Sequence, residues 1–397
     1  MCALLLSTSP GLAQFSWESS NVGNTSNLLD IVMPTARLAV VVGDQVTIGR
    51  STDGGVSWTL QTSGTTLSLS AVTFIDSLNG WSAGGNVLRY STDGGITWHT
   101  PVTLPSLGAK AIAFGNRNVG AAVGTGGQIL QSTDGGVHWA MVVSSVSSSL
   151  FGVTYADSIT AIAVGNRKIC RSTDGGKTWS STTGPLLYAV AAASQQVVIA
   201  VGGTPSVSFV YRSTNAGVTW DSLGGLAVPT LSSVAFCSAD TGFTLASNGK
   251  ILRTVNAGAT WDSVSGVSST AGATNISFRS GRTGLTCGSG GAVYRTTSST
   301  ASVSMTEPFA QQFVLNQNYP NPFNPSTTIG YGLPNRSHVT LTVFNMLGEQ
   351  VAVLQNEEQE GGYHEVKFDG ADLSSGVYFY RIQSGDFFQT RKLVFLR

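Results

Sequence analysis

Acid–base chemistry in this chain would have to come from very few side chains. Of 397 residues only 11% are charged, and of the seven glutamates only Glu18 precedes residue 300. Hydrolysis of a glycosidic bond needs two carboxyls, one as acid and one as base or nucleophile, at a set separation. The first 300 residues offer, outside a repeated phrase described below, Asp30, Asp44, Asp76, Asp157, Asp221, Asp240 and Asp262. Asp221 and Asp262 each follow a Trp directly, while Asp76 and Asp157 stand two residues after an aromatic and suit a turn. Asp30 and Asp44 are left to face an open mouth, and neighbours in one repeat do not clearly make a pair. His99, His138, His338 and His364 lack metal-ligand spacing, so no metal is expected. Gly84-Gly85 and Gly124 to Gly127 have no helix after them to receive a phosphate, and no cofactor is implied. Cys170, Cys237 and Cys287 fall on strand-like segments and are expected as small buried apolar residues.

The elements that position these groups are set by a repeat. Ser51-Thr52-Asp53-Gly54-Gly55-Val56-Ser57-Trp58 returns at residues 91–98, 132–139 and 172–179, and more loosely at 213–220 and 254–261. Its acidic or amide residue is Asp53, Asp93, Asp134, Asp174, Asn215 and Asn256 in turn. Its Trp residues, Trp58, Trp98, Trp139, Trp179, Trp220 and Trp261, are 40 or 41 residues apart. A period of this length is the mark of a modular architecture. The phrase suits a hairpin turn: the Asp accepts from N–H groups two or three residues on, and the glycines take positive φ. Burying each Trp contributes roughly 2–3 kcal/mol and pins one repeat to the next.

Trp17 lies 41 residues before Trp58 with no such phrase ahead of it, and Arg295-Thr296 repeats Arg253-Thr254 with no Trp behind it. The two half-repeats complete one another, giving seven repeats with Trp81 inside one of them. Within the second repeat, residues 69–74, 80–83, 87–91 and 98 onward have the short patterns of strands, and no helix is expected. The expected fold is all-β, a seven-bladed β-propeller over residues 14–297. A strand carrying Trp17 beside the one ending near Thr296 would close its ring.

The phrase resembles the Asp-box, or bacterial neuraminidase repeat, which in that family joins the third and fourth strands of a propeller blade. The sialidases of that family use an arginine cluster, a Tyr–Glu nucleophile and an Asp. This chain has no glutamate in position and lacks their Phe/Tyr-Arg-Ile-Pro phrase, so sialidase activity is not expected. The overall likeness is to photosystem II stability/assembly factor-like propellers. That implies a fold and a binding role, without a photosystem partner.

Arg50, Arg171, Arg212, Arg253 and Arg295 recur just ahead of the box position, one per repeat on the third strand, and structural pairing is expected of them. A more informative row is the residue two before the inner-strand Val or Ile: Asp30, Ser70, Lys110, Phe151, Tyr188, Ser232 and Thr274. It varies through acid, base, aromatic and hydroxyl, as a ligand surface would. Asp30, Lys110, Phe151 and Tyr188 are the ligand-binding candidates, with Phe151 and Tyr188 placed to stack on a sugar or peptide.

Beyond a Ser/Thr-rich stretch, taken as a linker over 298–312, the texture changes. Asn318-Tyr319-Pro320-Asn321-Pro322-Phe323-Asn324-Pro325 should run extended with Tyr319 and Phe323 as anchors. Alternating runs at 339–344, 351–354, 363–368, 376–382 and 387–396 indicate a small antiparallel β-sandwich over 313–397. The proline phrase, Asn345-Met346-Leu347-Gly348-Glu349, Ser375-Gly376-Val377-Tyr378 and Lys392-Leu393-Val394-Phe395-Leu396 resemble the type A C-terminal sorting domain of the type IX secretion system. The resemblance implies export through that machinery. Residues 1–13 have the texture of the end of a signal peptide, with Gly11-Leu12-Ala13 ahead of a cleavage site. Net charge is zero and no segment reaches the length of a membrane span, so neither nucleic acid nor a transmembrane anchor is expected. The expected protein is secreted or surface-attached and binds a protein or glycan. A secreted glycoside hydrolase is the alternative.

Overall fold

The computed structural model describes residues 15–100, 107–144, 146–264, 272–279, 283–298, 314–315, 318, 323–333, 336–359, 362–385 and 387–396. The expected signal peptide, the linker beyond Ser298 and Tyr319 lie outside the described residues. The chain divides into two compact units, Met1–Ser299 and Thr300–Arg397. Both are all-β, and among the described residues no α-helix occurs.

In the first unit the third repeat is typical. Ala109–Phe114, Gly120–Gly124, Ile129–Ser132 and Ala140–Val142 pair antiparallel in that order. In the second repeat the fourth strand shrinks to one bridge between Tyr90 and His99. The fourth and fifth repeats fuse into one six-stranded sheet, because Ser180–Ala192 is the outer strand of one and the inner strand of the next. Only Gly184-Pro185 stands unpaired where the two roles meet, too short a connector to leave the sheet.

The inner strands are neighbours in chain order, and the last, Ala273–Phe278, lies beside the first, Leu28–Val32. The N-terminal strand Phe15–Asn21 pairs with Ala292–Ser298, placing Trp17 opposite Thr296, the juxtaposition the two half-repeats imply.

Second strands such as Ala39–Gly43 and Gly120–Gly124 are buried from end to end between adjacent sheets, so they consist of small and branched apolar residues. Their leading glycine follows from contact with the aromatic that ends the inner strand. A Cβ on Gly80 would lie 2.4 Å from Phe74, and one on Gly120 2.5 Å from Phe114.

Polar contacts between repeats are equally regular. Arg50 Nε donates to the carbonyl of Gly94 in the next repeat at 2.7 Å, Arg171 to Ala216 at 2.7 Å and Arg212 to Ala257 at 2.9 Å. The structural pairing expected of these arginines is thus a clamp on the neighbouring turn. Gln131 serves the same purpose toward Gly175 at 2.7 Å. In the second repeat Tyr90 occupies the arginine position, and Trp81 replaces the clamp, donating to Gly135 O at 2.9 Å and stacking on Phe114. Arg295 pairs instead with Glu18 Oε2 at 2.6 Å, and Arg253 differs again. The last repeat has no box to offer a carbonyl, and Arg253 Nε is buried without a partner, its guanidinium over the Phe243 ring.

The second unit packs a sheet of Val314–Leu315, Ser326–Leu333 and Gly362–Asp369 with one of Gln350–Gln359, Ser337–Phe344, Gly376–Ser384 and Phe387–Phe395. Phe323, Tyr331, Leu341, Tyr380 and Phe395 lead its core. Phe323 is the buried anchor expected of the proline phrase, and Asn318 is tied down by the Tyr380 hydroxyl and Thr327.

The clamps set a stability test. Arg171→Leu and Arg212→Leu should each cost about 1.5–3 kcal/mol, whereas Arg253→Leu should lie within about 0.5 kcal/mol of the parent. Chemical denaturation checks this, and equal losses at Arg171 and Arg253 would show that the carbonyl contact is not what matters.

Candidate functional site

The box is a turn in which every short side chain is engaged. Ser51 Oγ accepts from Gly55 N at 2.8 Å and donates to Asp53 Oδ1 at 2.8 Å. Asp53 Oδ1 in turn accepts from Val56 N and Ser57 N, three and four residues on rather than two or three. Asp93, Asp134 and Asp174 repeat the arrangement. These N–H and O–H donors hold Asp53, Asp93 and Asp174 ionised down to about pH 2, although burial pulls the other way. Asn215 and Asn256 substitute by reversing one bond: Nδ2 donates to the hydroxyl of Thr219 or Thr260, while Oδ1 still takes the backbone N–H. The Trp indoles of the boxes at 98, 139, 179, 220 and 261 donate back to the carbonyl three residues earlier. Trp58 reaches Ser20 Oγ, which donates to Gly55 O, and Trp17, with no box, leaves its buried Nε1 unpaired. The aspartates of the boxes are committed to turns. So are Asp76 and Asp157, which accept from N–H groups two and three residues on.

The variable row has a structural basis that the sequence does not announce. In nearly every repeat the ladder between first and second strands slips by one residue at the start of the inner strand, a β-bulge. The extra residue is Phe151, Tyr188, Ser232 or Thr274, with Ser70 and Lys110 at the matching positions. In the first repeat it is Leu29, because Asp30 pairs with Val42 one step further on. Asp30 therefore leaves the row in which the sequence placed it and joins Ser233 and Asn275. The spacing from Val32 rather than Ile31 produced the offset.

The bulge residues divide into two sets. Ser70 Oγ donates to Ala83 O and to Ala109 O of the next inner strand, Thr274 Oγ1 donates to Leu28 O at 2.7 Å, and Ser232 Oγ to Leu245 O. Lys110 is exposed, and Phe151 and Tyr188 are partly exposed with their rings 5.6 Å apart at 30°. These three occupy successive repeats.

Asp30 is partly buried and accepts from Ile31 N at 2.8 Å and from Val72 N of the next repeat at 2.7 Å. Burial outweighs both donors and pushes its carboxyl up to about 7. Asp44 sits in the first repeat's hairpin, hydrogen-bonded to Asn27. No hydrogen bond joins the two carboxyls among the described residues; that of Asp30 is held by backbone N–H groups and that of Asp44 by the Asn27 side-chain amide.

Residues 89–100 match the family model described as BNR/Asp-box repeat, and residues 317–396 match the one described as Secretion system C-terminal sorting domain. The chain thus carries an Asp-box repeat and, at its C-terminal side, a sorting domain of the type IX secretion system. It is exported, to the cell surface or beyond it, and no helix among the described residues is long and apolar enough to cross a membrane. Among solved structures it is similar to YCF48 bound to D1 peptide, with TM-score 0.58 and 21% identity over 73% of this chain and 99% of that one. YCF48 from Cyanidioschyzon merolae gives 0.56 and 19%, over 70% and 98% of the chains. The Niastella koreensis GH74 enzyme gives 0.57 and 16%, over 80% of this chain and 59% of the enzyme. At such identities the likeness is one of fold, a β-propeller. No curated protein matches the chain.

The state of Asp30 generates a pH prediction. The folded protein keeps this proton to about pH 7 while an unfolded Asp releases it near 3.8. The native state thus binds more protons across that interval, and stability falls as pH rises through it, by roughly 2–4 kcal/mol in all. Asp30→Asn should remove that fall, losing about 1 kcal/mol at pH 4 from a missing acceptor and matching or exceeding the parent at pH 8. Urea unfolding at the two pH values measures both ends, and parallel pH profiles would refute the assignment.

Proposed function

We propose that residues 14–297 form a closed seven-bladed propeller that binds a protein or glycan at the end where the inner strands begin. The sorting domain, 313–397, delivers it through the type IX machinery. Closure is supported by the cyclic order of the inner strands, by Trp17 facing Thr296, and by Thr274 reaching Leu28 across the junction. The binding assignment rests on one observation. Along the bulge row most polar side chains are consumed by backbone carbonyls, while Lys110, Phe151 and Tyr188 on three successive repeats are left free to meet a ligand. Two neighbouring rings tilted by 30°, with a lysine at the matching position of the preceding repeat, form a platform suited to stacking and ion pairing together. A similar propeller, YCF48, has been seen with a peptide bound. Activity of the GH74 kind is the competing reading, and Asp30, already holding two backbone N–H groups, is a poor candidate for its acid.

Binding of the purified protein to a glycan array and to peptide libraries should drop at least about tenfold in Phe151→Ala and in Tyr188→Ala, with the melting temperature held. Reducing-sugar release that disappears in Asp30→Asn would instead make the protein a hydrolase. Deleting residues 313–397 should leave the propeller inside the cell envelope, and normal surface export of the truncated chain would refute the role of the sorting domain.

A further inference from the structure

The free part of the bulge row lies in an uneven electrostatic setting. The hairpin joining the second and third strands of the fourth repeat, residues 165–168, stands beside it. Gly165 is opposite Leu150, next to Phe151, and Asn166 is opposite Leu186, two residues from Tyr188. Arg167, exposed and without an ion pair among the described residues, thus stands in the hairpin whose ends pair beside both Phe151 and Tyr188, with Lys168 after it. Lys110 flanks Phe151 from the third repeat. Among the described residues at this end of the third, fourth and fifth repeats, 107–111, 124–128, 146–152, 164–168, 183–189 and 202–208 contain no Asp or Glu. The acids of this end, Asp30 and Asp44, belong to the first repeat.

Arg167 is also held at a cost. Its φ is +61°, where the corresponding hairpins of the second, third and last repeats use Gly85, Gly126 and Gly290 at φ +54°, +64° and +68°, and that of the first repeat has Gln45 and Val46 at +52° and +59°. A left-handed non-glycine residue is disfavoured, so this cation sits where glycine would be the relaxed choice. Among the described residues no hydrogen bond or ion pair of its side chain accounts for it. The short connector Gly184-Pro185 adds a second local departure, since it follows the sheet and does not overhang the rings as a longer loop could.

We infer that the ligand of this platform is an acidic polysaccharide, a chain of uronic acid residues. The inference rests on the reading of the bulge row as the binding surface. A pyranose ring presents a flat array of C–H groups that suits the electron-rich face of an aromatic ring. A uronate carries its carboxylate on the edge of that same ring, where Lys110, Arg167 and Lys168 border the two aromatics. Arginine pairs with carboxylate in a fork that lysine cannot form, which gives position 167 a reason to be Arg. An acidic peptide offers carboxylates but no flat apolar face rigidly joined to each one. Export also brings the protein to where extracellular polysaccharides are met.

The full chain should be titrated with hexamers of galacturonate and of alginate, with methyl-esterified oligogalacturonate and with a poly-Glu peptide. Expected are binding of at least one polyuronate, a loss of about tenfold or more on esterification, and a marked fall between about 0.05 and about 0.5 M salt. Arg167→Gly, which relaxes the backbone, should weaken polyuronate binding about tenfold while leaving the melting temperature unchanged or raised. Several results would overturn the inference: no polyuronate binding, equal affinity for esterified chains, tighter binding of poly-Glu, or an unaltered Arg167→Gly protein. Those failures would leave the platform itself standing if Phe151→Ala still abolished binding of some other glycan or peptide. Binding of every ligand unaffected by Phe151→Ala would instead sink the platform.

Discussion

The first unit depends on a turn that settles its own N–H groups and so has a carbonyl to give away. Ser51 and Asp53 between them absorb the amide donors of the box, and the carbonyls of Gly94, Gly135, Gly175, Ala216 and Ala257 in equivalent turns are taken by side chains of the preceding repeat. Each repeat is too thin to bury both of its faces alone. Its second strand is buried only when neighbours cover it, and the carbonyl contacts fix how those neighbours sit. The interaction is short, regular and nearly independent of the donor: Arg, Gln or Trp will do, provided that an N–H arrives.

Regularity of this kind makes its failure informative. At the junction between the repeat of Trp261 and the last one, the box is absent, and two donors it would have served, Arg253 Nε and Trp17 Nε1, are buried without acceptors. Phe243 and Phe278 stack at 3.6 Å there and Trp17 meets Phe278 edge-on, so apolar contact replaces the polar contact. Unsatisfied donors and an aromatic stack together give a junction weaker in hydrogen bonding than the others, and local opening in repeat arrays favours such a place.

Much of this is legible from period alone. The Trp spacing places the turns, the half-repeats place the N-terminal strand, and the aromatic-to-glycine alternation places the first two strands. Other features are hidden for physical reasons. The clamp joins residues 44 or 45 apart, and nothing in the local sequence of Arg50 reveals an acceptor in the next repeat. A β-bulge leaves no mark in composition, so the first repeat, with Ile31 and Val32 both able to fill the inner-strand position, gives no warning that Leu29 and not Asp30 is the extra residue. The hydroxyl that opens the box carries little signal in a Ser/Thr-rich chain, although Ser in five boxes and Thr254 in the sixth accept from the second glycine or its counterpart.

The same bulge explains why scaffold contacts and free side chains can share one row. A bulge residue is outside the ladder, so its side chain is spare, and spare hydroxyls next to a neighbouring strand are drawn into holding it, as Ser70 and Thr274 are. A side chain that cannot reach a carbonyl, because it is aromatic or a long cation, stays available. The row abandons small hydroxyls in the third, fourth and fifth repeats, and the last two of these are joined through the continuous strand Ser180–Ala192. A rigid base costs less ordering on binding than loops would, so the asymmetry of the sheet and the chemistry of its rim act in the same direction.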